Sequence, residues 1–154
     1  MDQHTLTVTL LNDADTDQLG KSLAVIAQAG DCILLKGQIG AGKSAFARAF
    51  IRQRLGPDTE VPSPTFTLVQ TYGPATLEIW HADLYRLSDP QEAVELGLTD
   101  AFADHICLIE WPELLEGLVP DTALDIHLSV TPDAHIATLT YGNHWASRLR
   151  CLDT

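Results

Sequence analysis

An α/β fold, with a mixed central sheet flanked by helices, is what this sequence predicts, and three observations carry it. Short apolar runs, "CILLK" at 32–36 and "ICLIE" at 106–110, have the length of buried strands. Between such runs lie stretches with apolar residues at helical spacing, so strands and helices alternate, as in a sheet covered on its faces. Late in the chain, "ALDIHLSV" and "HIATLTYG" alternate apolar and polar residues and read as an antiparallel pair, which makes the sheet mixed.

In chain order, "TLTVTLL" alternates as a strand should. "DADTDQLGKSLAVIAQA" opens with acidic residues and Thr16 and continues with apolar residues at helical spacing, the pattern of a helix start. "CILLK" is followed by a glycine-rich loop, and "KSAFARAFIRQRL" reads as a helix that Gly56-Pro57 stops. "VPSPTFTLVQTY" is a proline-fixed loop running into a strand, and "TLEIWHADLYRL" a strand ending in polar residues. "DPQEAVELGL" starts as a helix with Pro90 near its first turn. No repeat, low-complexity segment or long linker divides the chain, so 1–154 reads as a single domain of ordinary size.

Composition excludes several classes. At 45% hydrophobic and 19% charged residues the chain is globular rather than disordered. No apolar run approaches the roughly 20 residues of a membrane span, and no basic stretch precedes an apolar one at the N-terminus, so no secretory signal is expected. Cys32, Cys107 and Cys151 form no CxxC pair, and Cys32 and Cys107 fall in apolar runs as core thiols would. An odd count argues against a disulfide framework and points to a reducing cytoplasm. The net charge is −12, and between Leu55 and Ser147 the one basic side chain is Arg86. Such a surface repels a nucleic-acid backbone, so any role in an RNA pathway is expected to run through a protein partner.

The chemistry centres on "GQIGAGKS": Gly37, Gln38, Ile39, Gly40, Ala41, Gly42, Lys43 and Ser44. The run matches G-x-x-x-x-G-K-[ST] between a buried strand and a helix, the context this motif requires. Glycines let successive backbone N–H groups face a phosphate chain, and the helix start, including Ala45, adds positive potential. Lys43 would reach the β- and γ-phosphates, and the Ser44 hydroxyl suits Mg²⁺. The fold class therefore narrows to a phosphate-binding-loop (P-loop) NTPase domain that takes a nucleoside triphosphate and magnesium. Such a site also needs an acid beside the metal. Glu110 closes "ICLIE" and Asp83 sits in "WHADLYR"; either fits, although an acid at a strand end is also an ordinary solvated cap. In "VPSPTFT" the prolines restrict the backbone, so Ser63, Thr65 and Thr67 could present hydroxyls as a γ-phosphate sensor does, or form a plain rigid turn. Trp111 reads equally as packing. None of the six histidines has a metal-ligand spacing; His81 shares a strand face with Asp83, where a structural role is the simpler reading.

These stretches, with "ELGL" and "ICLIEWPE", resemble the TsaE (YjeE) family, bacterial P-loop ATPases of tRNA threonylcarbamoyladenosine synthesis; they span residues 37–113. The resemblance implies an ATPase acting with the TsaB–TsaD assembly, in which TsaD transfers threonylcarbamoyl to adenosine 37 of tRNA. It assigns phosphate to Lys43, magnesium to Ser44 and Glu110, and catalysis or switching to Thr65, Asp83 and Trp111. Thr16 matches a family threonine near the nucleotide base. Two positions depart: Gln38 replaces the usual Asp, and Ser44 the usual Thr. Among alternatives, a small metabolite kinase would want several lid arginines, where only Arg86 is available, and a GTPase would want N-K-x-D, which is missing. A nucleotide-binding module without turnover is the remaining option.

Overall fold

In the computed structural model of the chain, residues 3–64, 67–115 and 117–150 are described. The strands are β1 (His4–Leu10), β2 (Cys32–Lys36), β3 (Val69–Tyr72), β4 (Ile79–Asp83), β5 (Ile106–Glu110), β6 (Leu124–Val130) and β7 (His135–Tyr141). The helices are α1 (Asp13–Ile26), α2 (Lys43–Leu55), α3 (Pro90–Glu95), α4 (Leu98–Asp104) and α5 (Asn143–Leu149), with a 3₁₀ turn at Pro112–Leu115. The seven strands form one sheet in the order β1-β7-β6-β2-β5-β4-β3. Its centre, β6-β2-β5-β4, is parallel, while β1 and β7 on one side and β3 on the other pair antiparallel. The expected mixed sheet and its late antiparallel pair are both present.

Strand alternation divides the core into two layers. Ile33 and Leu35 of β2, Ile106 and Leu108 of β5, and Ile79 of β4 join α1, α2 and α5 in one cluster, with Phe46, Phe50 and Trp145 fully buried. The intervening Cys32, Leu34, Cys107, Ile109 and Ala82 face α3 and α4. Cys32 and Cys107 are cross-strand neighbours, free and buried, as core thiols. Burial pushes the Cys107 thiol up to about 12, and Cys151 lies outside the described residues. The same alternation carries a consequence for chemistry. Residues two apart point to one face, so His81, Asp83 and Glu110 continue the face of Ile79 and Leu108, toward α2.

Helix ends follow their capping residues. Asn12 caps α1 by accepting from the Asp15 N–H, and Asp89 caps α3 by accepting from Gln91, with Pro90 in the first turn. Gly56, at φ 121°, ends α2. Helices α1 and α2 approach closely at Gly20, where a Cβ would lie 2.7 Å from the Phe46 carbonyl oxygen.

Three short elements were not legible in the sequence: α4, the 3₁₀ turn and α5. Each has two turns or fewer, too little for a periodicity to register. Gly97, at φ 89°, separates α3 from α4. Helix α5 is held by tertiary contacts: Arg148 makes a bidentate ion pair with buried Asp31 at 2.6 and 2.9 Å, and its guanidinium lies 4.1 Å from the Trp145 ring centre.

Candidate functional site

The loop 37–42 leaves the carboxyl end of β2 and feeds α2, at the edge of the sheet where parallel strands end and ligands of α/β folds bind. Its glycines are required by the path. A Cβ on Gly37 would sit 2.5 Å from the Leu128 carbonyl oxygen, and Gly42 caps α2 at φ 107°. Ala41 is fully buried beneath the loop, with its N–H donated to Gln38 O at 3.1 Å, whereas Ile39 is exposed at the tip. Thr16 of α1 is buried against Gly42: a Cβ there would meet its methyl at 3.5 Å.

Lys43, only 5% exposed, folds back over this loop. Its ammonium donates to the carbonyls of Gly37 and Gln38, the latter at 3.0 Å, and lies 4.2 Å from the Trp111 ring centre. Burial draws its pKa below the usual lysine value, against the attraction of Glu110, Asp83 and Glu113. The charge is thus held close to the loop by charge-assisted hydrogen bonds.

Opposite Lys43 and Ser44 stand the two acids. β4 and β5 are in register with Asp83 beside Glu110, so both carboxylates emerge at adjacent strand ends. Ser44 Oγ donates to Glu110, 3.1 Å from Oε1 and 3.3 Å from Oε2. A hydroxyl and a carboxylate brought together offer hard oxygen donors, which suit Mg²⁺. Asp83 accepts from the Tyr85 N–H at 3.1 Å, and its own N–H donates to Leu68 O at 2.8 Å. The proline loop is thereby tied to the end of β4. Trp111, following Glu110, adopts φ 60°, a left-handed conformation rare for a large side chain. That turn brings its ring over Lys43 and within 5.1 Å of the Tyr85 ring.

Together these groups line a cleft of about 670 Å³, ample for a nucleotide. Lys43, Ser44, Ala45, Asp83, Glu110 and Trp111 all meet there, with Ile39, Gly40 and Gly42 of the loop. Thr65 lies outside the described residues, while Ser63 of the same loop lines the cleft. Asp13, Asp17, Arg48 and Tyr85 also line it. Arg48 is an exposed residue of α2 that borders the cleft. The residue underread in the sequence is His81: its Nε2 is 2.6 Å from Glu110 Oε2, with both side chains buried. Its two-residue offset from Asp83 was the available signal; the register that aims it at Glu110 was not.

With this geometry in place, comparison with known proteins is decisive. The family model for "Threonylcarbamoyl adenosine biosynthesis protein TsaE" matches residues 10–136. The chain belongs to the TsaE family. It is 40% identical over 121 residues to the tRNA threonylcarbamoyladenosine biosynthesis protein TsaE of Rickettsia felis, covering 79% of this chain and 71% of that one. It is 38% identical over 117 residues to the Bacillus subtilis protein of the same name, covering 75% and 72%. The crystal structure of YdiB from Bacillus subtilis matches with a TM-score of 0.81 and 29% identity, covering 100% of this chain and 99% of that one. The TsaE match begins at the end of β1 and reaches into β7, so it includes the loop, both acids and His81.

Proposed function

We propose that this TsaE-family chain is a magnesium-dependent ATPase, with 1–154 acting as one domain, that serves threonylcarbamoyl modification of adenosine 37 in tRNA together with a TsaB–TsaD assembly in the cytoplasm. The observation that carries the reading is the convergence of Lys43 and Ser44 on Glu110 and Asp83 at the carboxyl ends of β2, β5 and β4. In this reading the loop N–H groups of residues 37–45 and the Lys43 ammonium hold the phosphates of ATP. Ser44 and Glu110 hold magnesium, which supplies charge neutralisation at the transferring phosphoryl group. Asp83 orients the attacking water, and Thr65 serves in catalysis or switching. Trp111 covers the Lys43 ammonium and keeps water from it until phosphate arrives. Thr16, buried behind Gly42, supports the loop on the side of the base. Gln38, where family members usually carry Asp, leaves water positioning to Asp83.

A metabolite kinase is less well supported, because Lys43 and Arg48 are the two cationic side chains lining the cleft among the described residues. The test is a pull-down against TsaB–TsaD with and without ATP, with turnover measured on the same sample. The expected result is weak turnover alone that changes when the pair is added. Failure both to bind ATP and to associate with the pair would overturn the reading.

A further inference from the structure

We infer that His81 is a positioning residue for Glu110: its Nε2–H fixes the carboxylate so that one oxygen is committed to the imidazole and the other is presented toward Ser44 and the metal. The inference rests on the proposed magnesium-ATP reading and adds to it a residue that reading leaves unused.

Three observations carry it. His81 Nε2 is 2.6 Å from Glu110 Oε2, a short contact between side chains 1% and 3% exposed. A carboxylate only accepts, so the nitrogen facing it carries the hydrogen. The other ring nitrogen, Nδ1, is buried with no hydrogen-bond partner among the described residues. A histidine kept only for packing would leave two buried polar atoms to satisfy, at a cost an apolar residue avoids. Retaining one satisfied nitrogen, aimed at Glu110, is a cost with a directional return.

Register supplies the third observation. In the parallel β4–β5 pair, Asp83 is beside Glu110 and His81 beside Leu108. The imidazole therefore sits one pleat behind the two acids, on their own face, and reaches forward to Glu110. His81 does not itself line the cleft, and its partner Glu110, which does, is also the partner of Ser44. Its influence passes through the carboxylate. Ser44 Oγ lies within reach of both carboxylate oxygens, 3.1 Å from Oε1 and 3.3 Å from Oε2, while the imidazole meets Oε2 alone, so Oε1 is the oxygen left to the Ser44 side. Partners behind a metal-binding group set its orientation and basicity in this way.

The test compares wild type, His81→Phe and His81→Gln for binding of a fluorescent ATP analogue across a magnesium titration. Glutamine places an amide N–H near the position of Nε2 and so restores the donor. His81→Phe is expected to raise the magnesium concentration for half-maximal enhancement of binding by about tenfold or more. Magnesium-free binding, which depends on the loop and Lys43, stays within twofold of wild type, and His81→Gln recovers most of the loss. In a Glu110→Ala background, His81→Phe adds nothing further, as one shared pathway requires. Thermal unfolding identifies any variant that does not fold; should His81→Phe be one, His81→Gln and His81→Asn, whose amide falls short of Nε2, are compared instead. A magnesium dependence unchanged by loss of the donor, or magnesium-free binding lost in parallel, overturns the inference while leaving the ATPase reading intact. Failure of wild type to bind the analogue at all overturns both.

Discussion

Lys43 illustrates how much one side chain can owe to its neighbours. Its ammonium is buried, capped by two loop carbonyls and an indole face, and drawn toward three carboxylates. Lys43→Ala is expected to cost about 2–4 kcal/mol in the turnover barrier, a loss of roughly 30- to 1000-fold, measurable as steady-state ATP hydrolysis. The two acids separate by the same assay. Glu110→Ala, which also strips Ser44 of its partner, is expected to raise the magnesium requirement, whereas Asp83→Ala lowers the rate at saturating magnesium. The reverse pattern would transfer the metal to Asp83. The motif residues were legible because phosphate binding demands glycines, a lysine and a hydroxyl at fixed spacing in the chain. His81 was not, because its partner lies 29 residues away and only strand register brings the pair together.

Elements explain both what anchors the site and what would loosen it. Helices α1 and α2 meet where Gly20 has no side chain, 2.7 Å from the Phe46 carbonyl as a Cβ would measure it. Gly20→Val forces backbone apart and is expected to destabilise by about 1–3 kcal/mol, read as a lowered denaturation midpoint. The helix-propensity gain, a few tenths of a kcal/mol, is too small to compensate. Helix α5 depends instead on Asp31. Burial opposes ionisation of that carboxyl, but hydrogen bonds from Arg148, the Gln28 N–H and His144 outweigh it and hold its pKa below the ordinary value. A lowered folded-state pKa means stability present above the unfolded value near 3.9 and lost as pH falls through the folded one. Arg148→Met should therefore cost about 3 kcal/mol at neutral pH by stranding a buried carboxylate. The gap to wild type narrows as pH falls below the unfolded value, where the unfolded chain takes up its proton before the folded wild type, whose Asp31 is held lower, does so. Thermal melts at pH 7 and pH 3.5 check both arms.

At the scale of the whole molecule, charge and topology decide different things. A net charge of −12, with the basic residues concentrated in residues 21–54, leaves little surface for a polyanion. The isolated protein is expected not to retain tRNA on a filter at physiological salt, as a route through a protein partner requires. Among the described residues no helix is long and apolar enough to cross a membrane. Fold class, the loop, both candidate acids and the core thiols were all readable from the chain, because local spacing and apolar alternation encode them. Short-range pattern could not say that β4 lies beside β5, or that α2 covers the face carrying His81, Asp83 and Glu110. Nor could it reveal that Trp111 turns over Lys43, or that α5 exists at all. Those outcomes depend on contacts between residues far apart in sequence, whose free energy exists only once the sheet has assembled. The glycine-rich motif was written into one continuous stretch; the cleft around it was decided by packing.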